Sequence, residues 1–322
     1  MKLKFLSCTA CLIAAIIWGF AFSMQDYAAA TLDTFSINTV RCLIATVAMI
    51  PLIMTFDRIS RNGRQLFSRK NKHFFGLMKR EVIGGFFCGL ALAVASCLQQ
   101  AGLATEETGA GNTAFITALY VVIVPILSRL LGRRQPFFVW ISAVVAVGGF
   151  YLMTMTEQGG FSPAFGDLLV LASAFVYAIH ILVIDRFLPC IDPIRLSMMQ
   201  FLFCALLLLP ASLLAGRPSL DGAVSAMPYL LYLGILSSGA GYTLQIVGQK
   251  FASPAIASLL LSLESVFGAI GGALVLGERM SIFEILGAVT VFAAILFSQF
   301  ADILCEKSKK KSLEEADAAL NP

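Results

Sequence analysis

The sequence predicts an all-α integral membrane protein with ten transmembrane helices, arranged as two inverted-topology repeats of five helices each. Three observations predict this class. Hydrophobic residues make up 58% of the chain and charged residues 13%, whereas soluble domains carry about 25% charged residues. Long apolar stretches recur along the chain. The two halves of the chain also align with each other.

Ten stretches approach the roughly 20 apolar residues that a membrane-spanning helix needs. Most connections between them are short, and the longest is a basic segment, 57–81. The predicted spans are 5–24, 34–56, 82–103, 109–130, 136–154, 165–186, 194–214, 227–248, 255–276 and 282–301.

The first span has some features of a signal peptide, because Lys2 and Lys4 precede it and the run 28–30 is Ala-Ala-Ala. Its apolar region of about 20 residues exceeds the 7–15 that signal peptides have. It also has a counterpart in the second half of the chain, at 164–187. We therefore expect it to remain as a membrane helix.

An internal duplication relates the two halves of the chain. Without gaps, residues 131–134 (LGRR) align with 276–279 (LGER), and a second ungapped alignment pairs Asp33 with Asp192. Because five spans per copy is an odd number, the second copy must enter the membrane from the opposite side. Inverted repeats of this kind are typical of secondary transporters, whose substrate site lies near the midplane between the repeats.

The duplication also sets the predicted domain bounds. We predict a first repeat at 1–156, a second repeat at 164–301 and a disordered cytoplasmic tail at 302–322. The basic segment 57–81 belongs to the first repeat as a cytoplasmic loop, where it either fixes the topology or binds anionic lipid headgroups.

The distribution of basic residues predicts the orientation, because Lys and Arg are retained on the cytoplasmic side. With a cytoplasmic N-terminus, only Arg41, Arg217 and Arg279 of the 23 Lys and Arg residues face the other side. We therefore predict a multi-pass protein of the cytoplasmic membrane with both termini in the cytoplasm.

Ionisable residues at membrane depth are informative because a charge at a helix centre costs about 2.5–3.5 kcal/mol on translocon scales. Glu264, near the middle of the ninth span, could bind a proton or a substrate amine, or could hold its helix in place through hydrogen bonds. His180, in the sixth span, could relay protons or bond within the core. These two are the predicted candidates for proton coupling. Arg41 could attract an anionic group, but the sequence favours snorkelling to the outer surface.

Aromatic and polar side chains at similar depth complete the predicted cavity. Thr113 and Tyr120 share a face of the fourth helix by their spacing, and Pro125 can interrupt that helix and free a carbonyl. Trp18 could instead be an interfacial anchor. The predicted substrate-binding residues are Trp18, Asn112, Thr113, Tyr120, Tyr177, His180, Tyr242 and Glu264.

Other classes of protein find little support in the sequence. No HExxH, GxSxG, GxGxxG or P-loop motif occurs, so an enzyme is not expected. With two His residues in the chain, we expect no metal site and no cofactor. The expected partners are the lipid bilayer and a small-molecule substrate, without nucleic acid. The sequence leaves the oligomeric state open.

Three stretches resemble the EamA family of the drug/metabolite transporter superfamily: IIWGFAF at 16–22, GNTAFITALYVVIVPILSRLLGRR at 111–134 and LLLSLESVFGAIGGALVLGER at 259–279. The resemblance implies ten helices, cytoplasmic termini and two inverted repeats around a central cavity. It also implies export of amino acids, nucleosides or other small metabolites. Members usually carry a proline after the glutamate of the second repeat. This chain has Ser265 there, so the proline kink is expected to be missing.

Together these features predict a secondary active transporter that exports a small metabolite, such as an amino acid, a nucleoside or a drug-like compound, by alternating access. The alternative is a passive facilitator or channel-like pore for small solutes, which would not concentrate its substrate under a proton gradient.

Overall fold

The computed structural model describes residues 2–59, 72–105, 108–153, 164–214, 220–276, 281–283, 285–298 and 300–301. Within these ranges every regular element is helical. The predicted tail at 302–322 and residues 60–71 of the basic segment 57–81 lie outside the described residues. The α-helices are α1 (Lys2–Ala29), α2 (Thr34–Ile59), α3 (Lys72–Leu103), α4 (Ala110–Ala118), α5 (Tyr120–Leu130), α6 (Phe137–Met153), α7 (Phe165–Phe187), α8 (Pro193–Leu214), α9 (Leu220–Ser225), α10 (Met227–Leu231), α11 (Thr243–Gln249), α12 (Pro254–Leu261), α13 (Glu264–Gly271) and α14 (Ile285–Ser298).

Eight helical segments of the described chain are long and apolar enough to cross a membrane. They are Phe5–Ala29, Thr34–Thr55, Lys79–Leu103, Ala110–Leu130, Phe165–Phe187, Pro193–Leu214, Met227–Gln249 and Pro254–Val275. The predicted fifth and tenth spans correspond to shorter apolar helices, Phe137–Leu152 and Ile285–Ser298. The multi-pass helical membrane class is confirmed, whereas the count of ten spans and their inverted arrangement stay predictions.

Local sequence explains where several helices begin. Asp33 caps α2, where its Oδ1 accepts hydrogen bonds from the backbone N–H groups of Phe35 and Ser36, both at 3.0 Å. The aligned Asp192 does the same for α8, accepting from Ile194 N at 3.0 Å. A carboxylate at this position satisfies backbone donors that have no partner within the helix. The two aligned residues therefore have the same local role in the two halves.

The two halves of the chain pack against each other. Helix α3 packs on α7 and α8, α2 packs on α8, and α1 packs on α13. Where α7 passes to α8, Arg195 NH1 lies 3.9 Å from Glu81 Oε1 on α3. Near the same end, Arg133 pairs with Asp185 of α7. These contacts leave a cavity between the halves.

Two spans are interrupted near their middle. Between α4 and α5 the chain tightens at Leu119, whose N–H donates to the carbonyl of Ile116 at 3.1 Å. Between α12 and α13 it tightens at Ser262 and Leu263, and the N–H of Leu263 donates to Leu260 O at 3.3 Å. Such i→i+3 bonds mark short 3₁₀ turns within longer helices. In the alignment of 131–134 with 276–279, Leu119 pairs with Glu264, so the two breaks fall at nearly equivalent positions.

The second break corrects the expectation drawn from the missing proline. Serine hydroxyls donate hydrogen bonds to backbone carbonyls around this break. Ser262 Oγ donates to Leu259 O and Ser265 Oγ donates to Ser262 O, both at 2.8 Å. Hydroxyl groups that bond the preceding turn bend helices and satisfy carbonyls in lipid. In the first half, Pro125 lies inside α5 and the interruption falls ahead of it.

A wide π-helical stretch, Tyr232–Tyr242, joins α10 to α11. A second π-helical stretch, Gly272–Leu276, follows α13. Departures of this kind from the α-helix are rare and are often found at functional sites. The first stretch carries Ser237 and Tyr242, which line the cavity described below.

The contact between α6 and α14 can be tested with two adjacent glycines. A Cβ atom at Gly149 would lie 2.8 Å from Gly287 O and 2.9 Å from a Val291 methyl, whereas one at Gly148 would meet nothing within 4 Å. We expect Gly149→Ala to lower the unfolding free energy by about 1–3 kcal/mol, the usual cost of overpacking.

The matched control is Gly148→Ala, which should leave stability unchanged or raise it by up to about 1 kcal/mol because alanine favours the helix. Thermal unfolding of both variants in detergent checks this. Equal midpoints would contradict the close packing of α6 on α14.

Candidate functional site

The candidate site is a cavity between the two halves of the chain. Aromatic, amide and charged side chains surround it, with few aliphatic ones. Its walls come from α1, α2, α3, α4, α5, α7, the π-helical stretch 232–242, α11, α12 and α13. The lining residues are Trp18, Ala21, Phe22, Gln25, Arg41, Gln99, Thr117, Tyr120, Tyr177, His180, Ile181, Ser237, Tyr242, Gln245, Leu261 and Glu264.

Aligned positions of the two halves face this cavity together. In the alignment that pairs Asp33 with Asp192, three of the four lining residues of α1 pair with the three lining residues of α7: Trp18 with Tyr177, Ala21 with His180, and Phe22 with Ile181. The shared scaffold thus sets the position of the cavity, and the differences between paired residues set its chemistry.

Trp18 is held by the π-helical stretch 232–242. Its Nε1 donates to Ser237 O at 3.0 Å, and its ring lies 4.7 Å from the Tyr242 ring, between centroids. Gly241 permits this approach, because a Cβ there would lie 2.6 Å from Trp18 Nε1. The indole therefore lines the cavity in one fixed orientation.

Arg41 is the main departure from the sequence prediction. Only 4% of the residue is exposed, and it lines the cavity rather than snorkelling to a surface. Its Nε donates to Ser238 Oγ at 3.1 Å, its NH1 to Gln25 Oε1 at 3.2 Å and its NH2 to Ser237 Oγ at 3.3 Å. All three partners are neutral.

A chain of hydrogen bonds crosses the cavity wall from one half of the chain to the other. Gln99 Nε2 donates to Thr117 Oγ1 at 3.0 Å, and its Oε1 accepts from the Tyr177 hydroxyl at 3.4 Å. The Tyr242 hydroxyl donates to the Tyr177 hydroxyl, also at 3.4 Å. This chain orients two phenol groups that line the cavity.

His180 is fully buried, and its Nε2 lies 2.9 Å from Gln200 Oε1. Its ring stands edge-on to Tyr242, with 5.8 Å between centroids. The other ring nitrogen, Nδ1, has no hydrogen-bond partner among the described residues. His180 thus has one bonded nitrogen and one that is free to bond a ligand.

Glu264 begins α13, directly after the break in its span, and is 3% exposed. It lines the cavity together with Tyr120. Neither Oε1 of Glu264 nor the Tyr120 hydroxyl has a hydrogen-bond partner within 3.5 Å in the described part of the chain. The residue that directly follows the break is therefore an acidic one that lines the cavity, and its Oε1 can still accept a hydrogen bond.

Six of the eight predicted site residues meet at this cavity: Trp18, Tyr120, Tyr177, His180, Tyr242 and Glu264. Asn112 and Thr113 do not line it. Asn112 Nδ2 donates to Asp167 Oδ1 at 3.3 Å, and the Thr113 hydroxyl donates to Gly109 O at 3.0 Å. Both lie in the first turns of α4, ahead of the break, which explains why their helix reaches the cavity at Thr117 and Tyr120 instead. Binding roles for all eight stay predictions.

Several lining residues are not among the eight predicted site residues: Arg41, Gln25, Gln99, Thr117 and Gln245. Gln99, Thr117 and Gln245 carry a usable signal, since each is a polar residue inside an apolar span. The spacing alone does not distinguish cavity lining from helix–helix hydrogen bonding, and Gln99 does both.

A multi-span helical protein with a polar cavity buried between its two halves is a membrane transporter in architecture. The model of the EamA-like transporter family matches residues 5–155 and 164–300. The chain belongs to the EamA-like transporter family, within the drug/metabolite transporter superfamily.

Curated relatives are consistent with this assignment. An Archaeoglobus fulgidus protein described as an uncharacterized transporter is 26% identical over 285 residues, which is 88% of this chain and 82% of the relative. Protein PecM of Dickeya dadantii is 29% identical over 65% of this chain and 71% of its own length. The threonine/homoserine exporter RhtA of Escherichia coli is 26% identical over 59% of this chain and 63% of its own length.

A solved crystal structure has the same fold, with a TM-score of 0.70. The match covers 91% of this chain and 97% of that one, at 16% identity. At this level of identity the likeness concerns the fold alone.

The role of Asn112 can be tested as a structural one. Asp167, at the start of α7, accepts hydrogen bonds from Asn112, from Thr108 Oγ1 at 3.1 Å and from Ala164 N at 3.0 Å. We expect Asp167→Ala to lower the unfolding free energy by about 1–3 kcal/mol, because hydrogen bonds to a charged group are lost and partners are left unpaired.

Asn112→Ala should cost less, and the double variant should cost less than the sum because both changes remove the same bond. Asp221→Ala, on the exposed face of α9, is the control. Thermal unfolding in detergent gives all four values. Strict additivity would argue against the Asn112–Asp167 contact.

Proposed function

We propose that the protein is a secondary active transporter that exports a small metabolite, such as an amino acid, a nucleoside or a drug-like compound, across the cytoplasmic membrane. The observation that carries this proposal is the cavity lined by aromatic and polar side chains, to which both halves of the chain contribute. Concave sites with a few placed polar groups are typical binding sites for small molecules.

Unpaired polar atoms support binding of a polar substrate in this cavity. The Tyr120 hydroxyl, His180 Nδ1, Gln245 Oε1 and Glu264 Oε1 all belong to buried lining residues and have no hydrogen-bond partner among the described residues. Leaving a buried polar group unpaired costs about 1–3 kcal/mol. A polar substrate, or the water that it displaces, offers these atoms partners.

Alternating access follows from the duplicated architecture. In the proposed arrangement α6 and α14 complete ten spans, the second five run opposite to the first five, and both termini are cytoplasmic. The breaks at Leu119 and at Ser262–Leu263, which both adjoin the cavity, then act as hinges, because a helix interrupted at mid-span bends more readily than a continuous one. Inverted repeats of this kind open a central site to each side in turn.

The direction of transport is proposed from the family and one relative. RhtA of Escherichia coli is named as an exporter, and its match to this chain makes export the favoured direction here. A passive facilitator would use the same cavity, but it would not accumulate substrate against a gradient.

Glu264 and His180 are the proposed coupling residues. A buried carboxyl that holds either a proton or a substrate amine, but not both, would exchange one for the other across the membrane. Glu264 meets the structural requirements for this, since it is buried, lines the cavity and keeps Oε1 unpaired. His180 has the same features at Nδ1.

Export is tested without knowledge of the substrate by comparing metabolites released from cells. Cells that overproduce the wild-type chain should release one or more small metabolites at least about tenfold faster than cells that produce Glu264→Gln, which loses the acidic group. Mass spectrometry of the medium measures this. Asp221→Asn, on exposed α9, is the control and should behave as wild type. Identical release from wild type and Glu264→Gln would remove Glu264 from the mechanism, and the absence of any compound released above cells that lack the chain would refute export.

Coupling is tested in proteoliposomes with a metabolite found in that experiment. An imposed proton gradient should drive accumulation of the metabolite above equilibrium. At least one of the two variants, Glu264→Gln and His180→Ala, should abolish the pH dependence of the transport rate. Equilibration without accumulation would establish the facilitator instead, and an unchanged pH dependence in both variants would remove these residues from coupling.

A further inference from the structure

Arg41 is a buried cation whose described partners carry no charge. A guanidinium group has five N–H donors, and the three bonds to Ser238, Gln25 and Ser237 use one donor on each nitrogen. One N–H on NH1 and one on NH2 remain without a partner among the described residues, and a carboxylate is a strong acceptor for such donors. The position of Arg41 in the cavity lining gives a bound molecule access to the residue.

An isolated charge is expensive to bury, so such groups are normally paired or hydrogen-bonded. No carboxylate is among the hydrogen-bond partners of Arg41 in the described chain. The aligned position in the second half carries neutral Gln200, which bonds His180. The duplicated scaffold therefore does not require a cation at this position, because the other half packs with a neutral amide, Gln200, at the aligned position.

The opposite charge lies elsewhere on the same cavity. Among the lining residues, Arg41 is the only Lys or Arg, and Glu264 is the only Asp or Glu. The hydroxyl groups of Tyr177 and Tyr242 bond each other, and both residues line the same cavity. The cavity lining thus combines a cationic group, an acidic group and two hydrogen-bonding tyrosines.

We propose that Arg41 binds the carboxylate of the transported molecule and that Glu264 faces its ammonium group, so that the substrate is a small zwitterion of the amino-acid type. This assignment presupposes the transport function proposed above. A cationic drug would meet Arg41 as a like charge, and an uncharged nucleoside would leave both charges unpaired. A dianion would be repelled by Glu264.

Binding to the purified full-length chain tests this directly. The probes are the proteinogenic L-amino acids, each compared with its carboxamide, which lacks the carboxylate, and with its N-acetyl derivative, which lacks the ammonium group. At least one free amino acid should raise the thermal unfolding midpoint, because a ligand of the folded state stabilises it. Its carboxamide should bind about 10- to 100-fold more weakly, since it lacks a charge-assisted bond to Arg41.

Substitutions assign that discrimination to the two residues. Arg41→Gln should bind the amino acid and its carboxamide equally weakly, whereas Arg41→Lys should retain part of the preference because it keeps the charge without the paired donors. Glu264→Gln should lose the preference for the free amine over the N-acetyl derivative. Asp221→Asn is the control. If Arg41→Gln does not fold, the ratio of acid to carboxamide in the wild-type chain decides alone.

Three outcomes would overturn the assignment: no amino acid stabilises the wild-type chain, the carboxamide binds as well as the acid, or folded Arg41→Gln keeps the preference. The metabolite-release experiment separates this failure from failure of the transport function. Released compounds without a carboxylate would leave transport standing and remove the role of Arg41, whereas no released compound would remove transport itself.

Discussion

The structure depends on the rule that a backbone in lipid must pair its own N–H and C=O groups. Long α-helices meet this requirement, and the chain departs from them mainly where protein surrounds it. The interruptions at Leu119 and Ser262–Leu263 and the π-helical stretch 232–242 all adjoin the cavity. Short i→i+3 bonds and serine hydroxyls pair carbonyl groups there. These irregular segments therefore lie next to the polar side chains of the cavity, whereas the π-helical stretch Gly272–Leu276 contributes no lining residue.

Duplication explains the shape of the site, and divergence explains its chemistry. Trp18 and Tyr177 occupy aligned positions on α1 and α7, and both line the cavity. Elsewhere one half carries a functional group that the other lacks. Ala21 is aligned with His180, and Arg41 is aligned with Gln200. Aligned helices of the two halves therefore line one cavity, whose lining includes a cationic residue, Arg41, and an acidic residue, Glu264.

Much of the fold follows from the sequence, because long apolar runs in lipid have few alternatives to the helix. The placement of Glu264, His180 and Tyr120 at one cavity also followed from their depth in predicted spans. The inward position of Arg41 did not follow from the sequence, because a cation two turns into a span can either reach the membrane surface or turn into the protein. Its hydrogen bonds to Gln25, Ser237 and Ser238 fix the inward position. The break at Ser262–Leu263 was missed because serine hydroxyls replaced the expected proline. Asn112 was misplaced because its partner, Asp167, is distant in the sequence.

The central claim is that one cavity between the halves opens to each side of the membrane in turn. Ala21 lines that cavity and is small, so Ala21→Cys places a reactive thiol there with little change in volume. The measurement is its labelling by a membrane-impermeant thiol reagent in right-side-out and in inside-out vesicles, with the wild-type chain reporting the native cysteines. If the cavity opens to each side in turn, Ala21→Cys is labelled in both kinds of vesicle. Bound substrate should then slow the labelling in one kind of vesicle and change the labelling rate in the other. Labelling from one side alone under every condition would contradict this claim.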